Sequence, residues 1–377
     1  MKIIYCDHSA TTKVKKEVLN EMIPYYMNQY GNASSLYSVG RDAKYAITQA
    51  RTRVARAINA SAQEIYFTSC GSESDNLALK GFCHANKQKG KHIITSKIEH
   101  PAILQTCLAL EKEGFEVTYL EVDKKGFVDM NQLTNAIRKD TILVSIMTAN
   151  NEIGTIEDIK TIGSICKNNN VTFHTDSVQA IGNVKIDVQE MNIDMLSMSA
   201  HKFYGPKGVG ALYVREGIEF DRIQDGGHQE RDKRSGTENV AGIAGLGKAI
   251  ELASNNFDDY TKKLTTIRDY FIDKAIKEFG KENVRINGDL NKRLPGHVSI
   301  SFRGKDSNLI LLELDKKGMC ASGGSACCSS LATPSHVLQA IKLEREWAEG
   351  TIRLTFGDDN TKEDVDYIIE SLKEIIK

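Results

Sequence analysis

Apolar positions follow two rhythms along this 377-residue chain. From Arg41 to Ile58, the residues Ala43, Ala46, Ile47, Ala50, Val54 and Ile58 recur at spacings of three and four, which predicts an amphipathic helix. A further helix is expected over 15–29. Beyond residue 60 the rhythm shortens. Apolar runs at 65–69, 92–96, 117–122, 142–148, 171–176, 194–198 and 211–214 read as strands, with helical stretches near 73–89, 101–113, 129–139 and 156–168. This alternation implies an α/β architecture, a mostly parallel sheet covered by helices on both faces. After about residue 255 the texture changes to a charged helix (258–279), strands near 297–303 and 351–357, and helices at 307–317 and 361–376. The expected division is a large domain over 15–255 and a smaller α+β C-terminal domain over 256–377, to which an arm of residues 1–14 contributes.

Composition narrows the function classes. Hydrophobic residues make up 41% and charged residues 26%, as in ordinary globular enzymes. A net charge of -1 offers no basic surface for nucleic acid or anionic lipid. The eight cysteines form no Cys-x-x-Cys pair and no regular framework, which suggests reduced thiols and a cytoplasmic setting. The N-terminus lacks an apolar signal region and no long apolar run is present, so neither secretion nor a membrane span is expected.

In sheets of this class ligands collect beyond the carboxyl ends of the strands, and the polar residues there carry the chemistry. After 65–69 comes Cys70-Gly71-Ser72-Glu73-Ser74-Asp75-Asn76, a glycine turn leading into a helix. Its N–H groups make a seat for a phosphate, and Ser72 with Asp75 fits a capping pattern. The 92–96 strand leads to Glu99-His100-Pro101, where His100 can stack on a planar ring and shuttle protons, or simply sit on a surface loop. The 142–148 strand leads to Asn150-Asn151-Glu152-Ile153-Gly154. The 171–176 strand ends His174-Thr175-Asp176, and a carboxylate there can keep a heteroaromatic nitrogen protonated. His174 and Asp176 lack a third metal ligand nearby in sequence, so no metal is expected. Between two apolar strands lies Ser199-Ala200-His201-Lys202, where a lysine among dipoles loses proton affinity and becomes a nucleophile able to form a Schiff base. A phosphate seat, a ring-stacking histidine, an acid for a ring nitrogen and a nucleophilic lysine are together what pyridoxal 5'-phosphate requires.

Two more stretches bear on the chemistry. Gly242-Ile243-Ala244-Gly245-Leu246-Gly247-Lys248-Ala249 imitates a phosphate-binding P-loop, but Ala249 stands where a magnesium-binding hydroxyl is needed, so tight helix packing is the better account. Cys327 lies in the Gly/Ser-rich stretch 321–330, a setting for a reactive thiol rather than a core one. Arg353 in the apolar Thr351–Thr355 run is either a bidentate carboxylate clamp or a structural ion pair.

Over nearly its whole length the chain resembles the pyridoxal-phosphate-dependent cysteine desulfurases of the NifS/IscS type, within the class V aminotransferases of fold type I. The resemblance rests on Ala10-Thr11-Thr12, Glu99-His100, Asn150 to Gly154, His174-Thr175-Asp176, Ser199 to Lys202, Arg234-Ser235-Gly236-Thr237 and Gly324-Ser325-Ala326-Cys327. It implies that Lys202 holds the cofactor covalently, Asp176 partners the pyridine nitrogen, His100 stacks on the ring and moves protons, and Gln179 bonds the ring hydroxyl. Gly71, Ser72, Ser199 and His201 would serve the phosphate, with Thr237 supplied by the second subunit of a homodimer. Asn151, Arg353 and Asn32 would bind the substrate, L-cysteine. Cys327 would take the sulfur as a persulfide and release alanine, for delivery to an acceptor in iron–sulfur assembly or tRNA thiolation. An aminotransferase or lyase on the same fold is the alternative, as it would use Lys202 and Asp176 without Cys327. Cys70 and Ser72 replace the family's usual Gly and Thr, and the chain ends at Lys377, short of the tail with which IscS-like members dock scaffold proteins.

Overall fold

The computed structural model describes residues 3–323 and 334–376. Among these residues the strands are β1 (Ile4–Tyr5), β2 (Ile65–Thr68), β3 (His92–Ser96), β4 (Glu116–Leu120), β5 (Thr141–Ser145), β6 (Thr172–Asp176), β7 (Met195–Ser199) and β8 (Gly210–Val214). They are followed by β9 (Val284–Ile286), β10 (His297–Phe302), β11 (Met319–Cys320), β12 (Ser322–Gly323) and β13 (Thr351–Thr355). The main sheet has seven strands in the order β2-β8-β7-β6-β5-β3-β4. From β4 to β7 all neighbours are parallel, and β8 runs antiparallel to both β7 and β2. The exception has a simple cause. A parallel pairing of β7 and β8 needs a crossover of a dozen or more residues, and only residues 200–209 join them. Every side chain of β3, β5, β7 and β8 is buried, as expected for strands covered on both faces.

The helix Ser38–Ala57 buries Ala43, Ile47, Ala50 and Val54 along one face and packs on the helix Val240–Asn255. A Cβ on Gly247 would stand 2.6 Å from Ala50 Cα, and one on Gly245 would stand 2.7 Å from Met22 Sδ. The small residues of this stretch therefore exist for close helix contact. The helix Gly71–Asn76 runs on through a π-helical turn, Leu77–Gly81, into Phe82–Asn86.

A second sheet, β12-β13-β10-β9, is antiparallel throughout and is backed by the helices Phe257–Phe279, Ser307–Lys316 and Lys362–Ile376. Its core joins Phe271, Val298, Ile300, Ile352, Leu354, Val365 and Ile368. The N-terminal arm belongs with it, since β1 pairs with β11 and Asp7 bridges to Thr355. Sequence periodicity finds β3 and β10 well but not β1, β9, β11 or β12, which have two or three residues each and carry no rhythm of their own. The expected 142–148 strand stops at Ser145 as a regular ladder. Ile146 and Thr148 still donate to the carbonyls of His174 and Asp176 before the chain turns into the Asn150 loop.

Candidate active site

The carboxyl ends of β3, β5, β6 and β7 and the turn after β2 converge on one cavity of about 610 Å³. Gly71, Ser72, His100, Asn151, Asp176, Gln179, Ser199, His201, Lys202 and Arg353 all line it. Segments far apart in sequence meet here because parallel strands deliver their ends to the same edge.

Lys202 closes the short helical turn Ala200–Lys202 that follows β7. Two residues on, Tyr204 adopts a left-handed backbone (φ 65°), which costs about 1–2 kcal/mol for a residue with a Cβ. The arm offsets this cost. Thr12 Oγ1 accepts from Tyr204 N at 2.8 Å and donates to His201 O at 2.8 Å. Lys202 Nζ donates to the carbonyls of Ser9 and Ala10, and Gln179 Nε2 donates to Ser9 O at 3.0 Å.

Asp176 ends β6, buried at the cavity wall. Burial raises its pKa, against which His100, the bond from Val178 N (2.8 Å) and Lys202 act. Beneath it Asp75 is 1% exposed, and its Oδ1 has no hydrogen-bond partner among the described residues. Burial and then Asp176 hold the Asp75 carboxyl well above the usual range. His100 caps the helix Pro101–Lys112 through Nδ1, which accepts from Ala102 N at 3.1 Å. That bond leaves Nε2 to carry the proton of the neutral ring, and burial lowers the imidazole's pKa so that the neutral form prevails. Asp75, His100 and Asp176 present ligand atoms within 4.8 Å of one another. His174 supplies no ligand atom to this group; it lies in the core between Ser145 Oγ and Ser197 Oγ with Nε2 3.9 Å from Asp75 Oδ1, and burial pushes its pKa down to about 3.

In the turn after β2 the helix begins at Gly71 with no side-chain cap, so its first-turn N–H groups keep their donor capacity. Ser72 therefore does not cap as the sequence pattern suggested. Glu73 turns back instead to accept from Ser69 N and to pair with Arg234. A Cβ on Gly71 would meet Val178 Cγ2 at 2.7 Å, so the close seating of this turn on the β6 and β7 ends depends on glycine. His201 Nδ1 is 3.1 Å from Thr11 Oγ1, and burial followed by the Lys202 and Lys207 charges lowers its pKa to about 4.

Arg353, in the middle of β13, pairs with Asp7 at 2.8 Å and donates through Nη1 to Asn151 O at 3.0 Å. Its Nε is buried without a partner among the described residues. Asn150 has a different task from its neighbour. Its Nδ2 donates to Ile98 O and its Oδ1 accepts from Glu152 N and Ile153 N, which sets the loop that presents Asn151.

Two expected residues fall elsewhere. Asn32 is exposed and outside the cavity, with Oδ1 accepting from Ser34 N at 2.9 Å, because the Tyr30–Ser35 turn seats itself against the start of the helix Ser38–Ala57. Thr237 is also exposed and outside the cavity of its own chain. Cys327 lies outside the described residues. The cavity adds residues that sequence reasoning missed, notably Glu152, Ser335, His336 and Gln339. His336 Nε2 is 2.9 Å from Glu99 O, and burial raises the Glu152 carboxyl to about 7. Glu152 stood within a polar cluster already singled out, whereas nothing in the sequence around His336 marks it.

The donor set suits pyridoxal phosphate. Asp176 and Asp75 are buried carboxyls at the cavity that could face a protonated ring nitrogen, Lys202 offers an amine, and the uncapped helix start with Ser72, Ser199 and His201 could seat a phosphate.

The aminotransferase class-V family model matches residues 4–368. The chain is 56% identical over 378 residues to a protein of Clostridium botulinum (strain Hall) described as cysteine desulfurase IscS, covering 100% of this chain and 95% of that relative. Among solved structures, a NifS-like protein superposes with a TM-score of 0.94 at 37% identity, covering 100% of this chain and 99% of the other. A structure described as SspA in complex with cysteine superposes with a TM-score of 0.83 at 37% identity, covering 94% and 99% of the two chains.

Proposed function

This chain belongs to the aminotransferase class-V family and is a pyridoxal-phosphate-dependent cysteine desulfurase, and from that premise we propose how its own residues divide the work. When bound, pyridoxal phosphate supplies a protonated, conjugated ring that accepts the electron pair left at the substrate's Cα. Asp176 would hold a proton at the ring nitrogen, His100 would stack on the ring and Gln179 would bond its hydroxyl. Gly71, Ser72, Ser199 and His201 bind the phosphate. Arg353 and Asn151 hold the carboxylate of L-cysteine, and Lys202 Nζ moves the Cα proton. Cys327 as thiolate attacks the substrate sulfur, so that an S–S bond forms as the Cβ–S bond breaks; the electron pair returns to the carbon side, which is protonated and leaves as alanine, and the enzyme keeps the sulfur as a persulfide. The convergence of Lys202, His100 and Asp176 on one cavity carries this reading. Alanine production from L-cysteine by wild type and by Cys327→Ala tests it. Loss of alanine and of enzyme-bound persulfide in the variant is expected. Unchanged alanine output would instead make the chain a lyase.

The finer assignments belong to the same proposal. The persulfide goes to a protein acceptor serving iron–sulfur assembly or tRNA thiolation, and the enzyme works in the cytoplasm. Six cysteines of the described residues are free thiols, and no helix among those residues is long and apolar enough to cross a membrane. A homodimer would let Thr237 reach the partner's phosphate seat, as its exposure in the single chain allows. Sedimentation of the holoenzyme tests the dimer, and Thr237→Ala should weaken cofactor retention only if the dimer forms.

A further inference from the structure

Asp7 has no role so far, yet it is the residue most tightly tied to Arg353. Its Oδ1 accepts from Arg353 Nη2 at 2.8 Å and its Oδ2 accepts from Ser322 Oγ. Ser322 in turn is the register partner of Arg353 across β12 and β13. The arm's backbone is pinned on both sides of Asp7. Tyr5 Oη shares its one hydrogen between Asp7 O at 3.0 Å and Thr11 O at 2.9 Å, while Ser9 N donates to Thr355 Oγ1 at 2.9 Å. The carboxylate therefore has one place to be, and it is against a guanidinium that is 2% exposed.

We propose that Asp7 is a positioning residue that fixes Arg353 for the α-carboxylate of the substrate and so makes the enzyme select amino acids over simple amines. The inference deepens the reading of Arg353 given above and rests on it. A buried guanidinium without an anion is costly and turns toward solvent or any available acceptor. Asp7 and Asn151 O each occupy one N–H, leaving Nε without a partner within the described residues and other N–H hydrogens to bond a second carboxylate. The ion pair thus pre-organises the clamp before substrate arrives, and a thiol amine that lacks a carboxylate gains nothing from it.

The test compares L-cysteine with cysteamine, which has the same thiol and amine but no carboxylate. Dissociation constants are read from the visible band of the holoenzyme in a Cys327→Ala background. Asp7→Asn should weaken L-cysteine binding roughly tenfold and leave cysteamine binding as it was, with Asp7→Glu recovering part of the loss. An equal change for both ligands, or no change for either, overturns the proposal. Ser322→Ala, which removes only the second tie on Asp7, should move the same ratio by a smaller factor. It carries the test if Asp7→Asn fails to hold cofactor, and an unchanged ratio then overturns the proposal. Arg353→Gln separates the two claims. If it does not discriminate between the ligands, the reading of Arg353 itself fails. If it does while Asp7→Asn does not, only the role of Asp7 fails.

Discussion

Under the strand ends, Asp75, Glu99 and Asp176 are buried, and burial raises the pKa of each. Asp75 Oδ1 and Glu99 Oε2 have no hydrogen-bond partner among the described residues. In the small sheet Arg353 is as deeply buried, yet it has a matched carboxylate in Asp7 and a carbonyl in Asn151. The first region is an accumulation of buried carboxyls that burial pushes toward their neutral forms. The second is neutralised in advance and only has to share its donors. The cofactor side is thus poorly balanced in the protein alone, and the substrate side is balanced before substrate comes.

The largest expected effect comes from Lys202→Ala, which removes the amine from the acid-rich side. Activity should fall by more than about 10³-fold, measured as alanine formed, and the cofactor should no longer survive dialysis in covalent form. Asp176→Asn comes next. It should cost roughly a hundredfold in turnover while raising the melting temperature of the cofactor-free chain, because an enclosed carboxylate is replaced by a neutral amide. A lower melting temperature would break the contrast between the two regions.

On the balanced side, Gly154 has φ 78°, and a Cβ there would stand 2.7 Å from Nδ1 of His297, the ring whose Nε2 is 3.0 Å from Asn151 O. Gly154→Ala should therefore lose about 1–2 kcal/mol of stability in denaturant titration and weaken cysteine binding through Asn151.

The smallest effect concerns pH. Burial raises Glu99 to about 8, well above its unfolded value. Its neutral form is therefore favoured by folding, and that contribution is complete below the unfolded pKa and fades as pH rises through 8. Glu99→Gln should flatten the decline of melting temperature between pH 6 and pH 9. Glu157, also raised to about 8 by burial, should keep part of that decline.

Much of the cofactor side was legible because its residues sit at the ends of strands with clear apolar runs. His92–Ser96 and Met195–Ser199 were found to within a residue, and Lys202, His100 and Asp176 followed from their position. The substrate side was harder to read. Arg353 stood out as a charge in an apolar strand, but clamp and ion pair remained equal readings, and the structure shows the ion pair in place. Its partner Asp7 lies 346 positions away in a two-residue strand's margin, where periodicity has nothing to report. Ser72 fits a capping pattern in the sequence, but Glu73 with distant Arg234 decides how that turn is satisfied.

The pairing of Ile4 with Met319 also bears on how the protein is made. A ribosome releases the first strand long before the segment that receives it exists, a separation of roughly 300 residues with a correspondingly late closure. Until then the carbonyls of Ser9 and Ala10 cannot steady the lysine, and the guanidinium has no acid beside it. The large sheet can form before β11 exists, but the site is complete only once β1 has paired with β11.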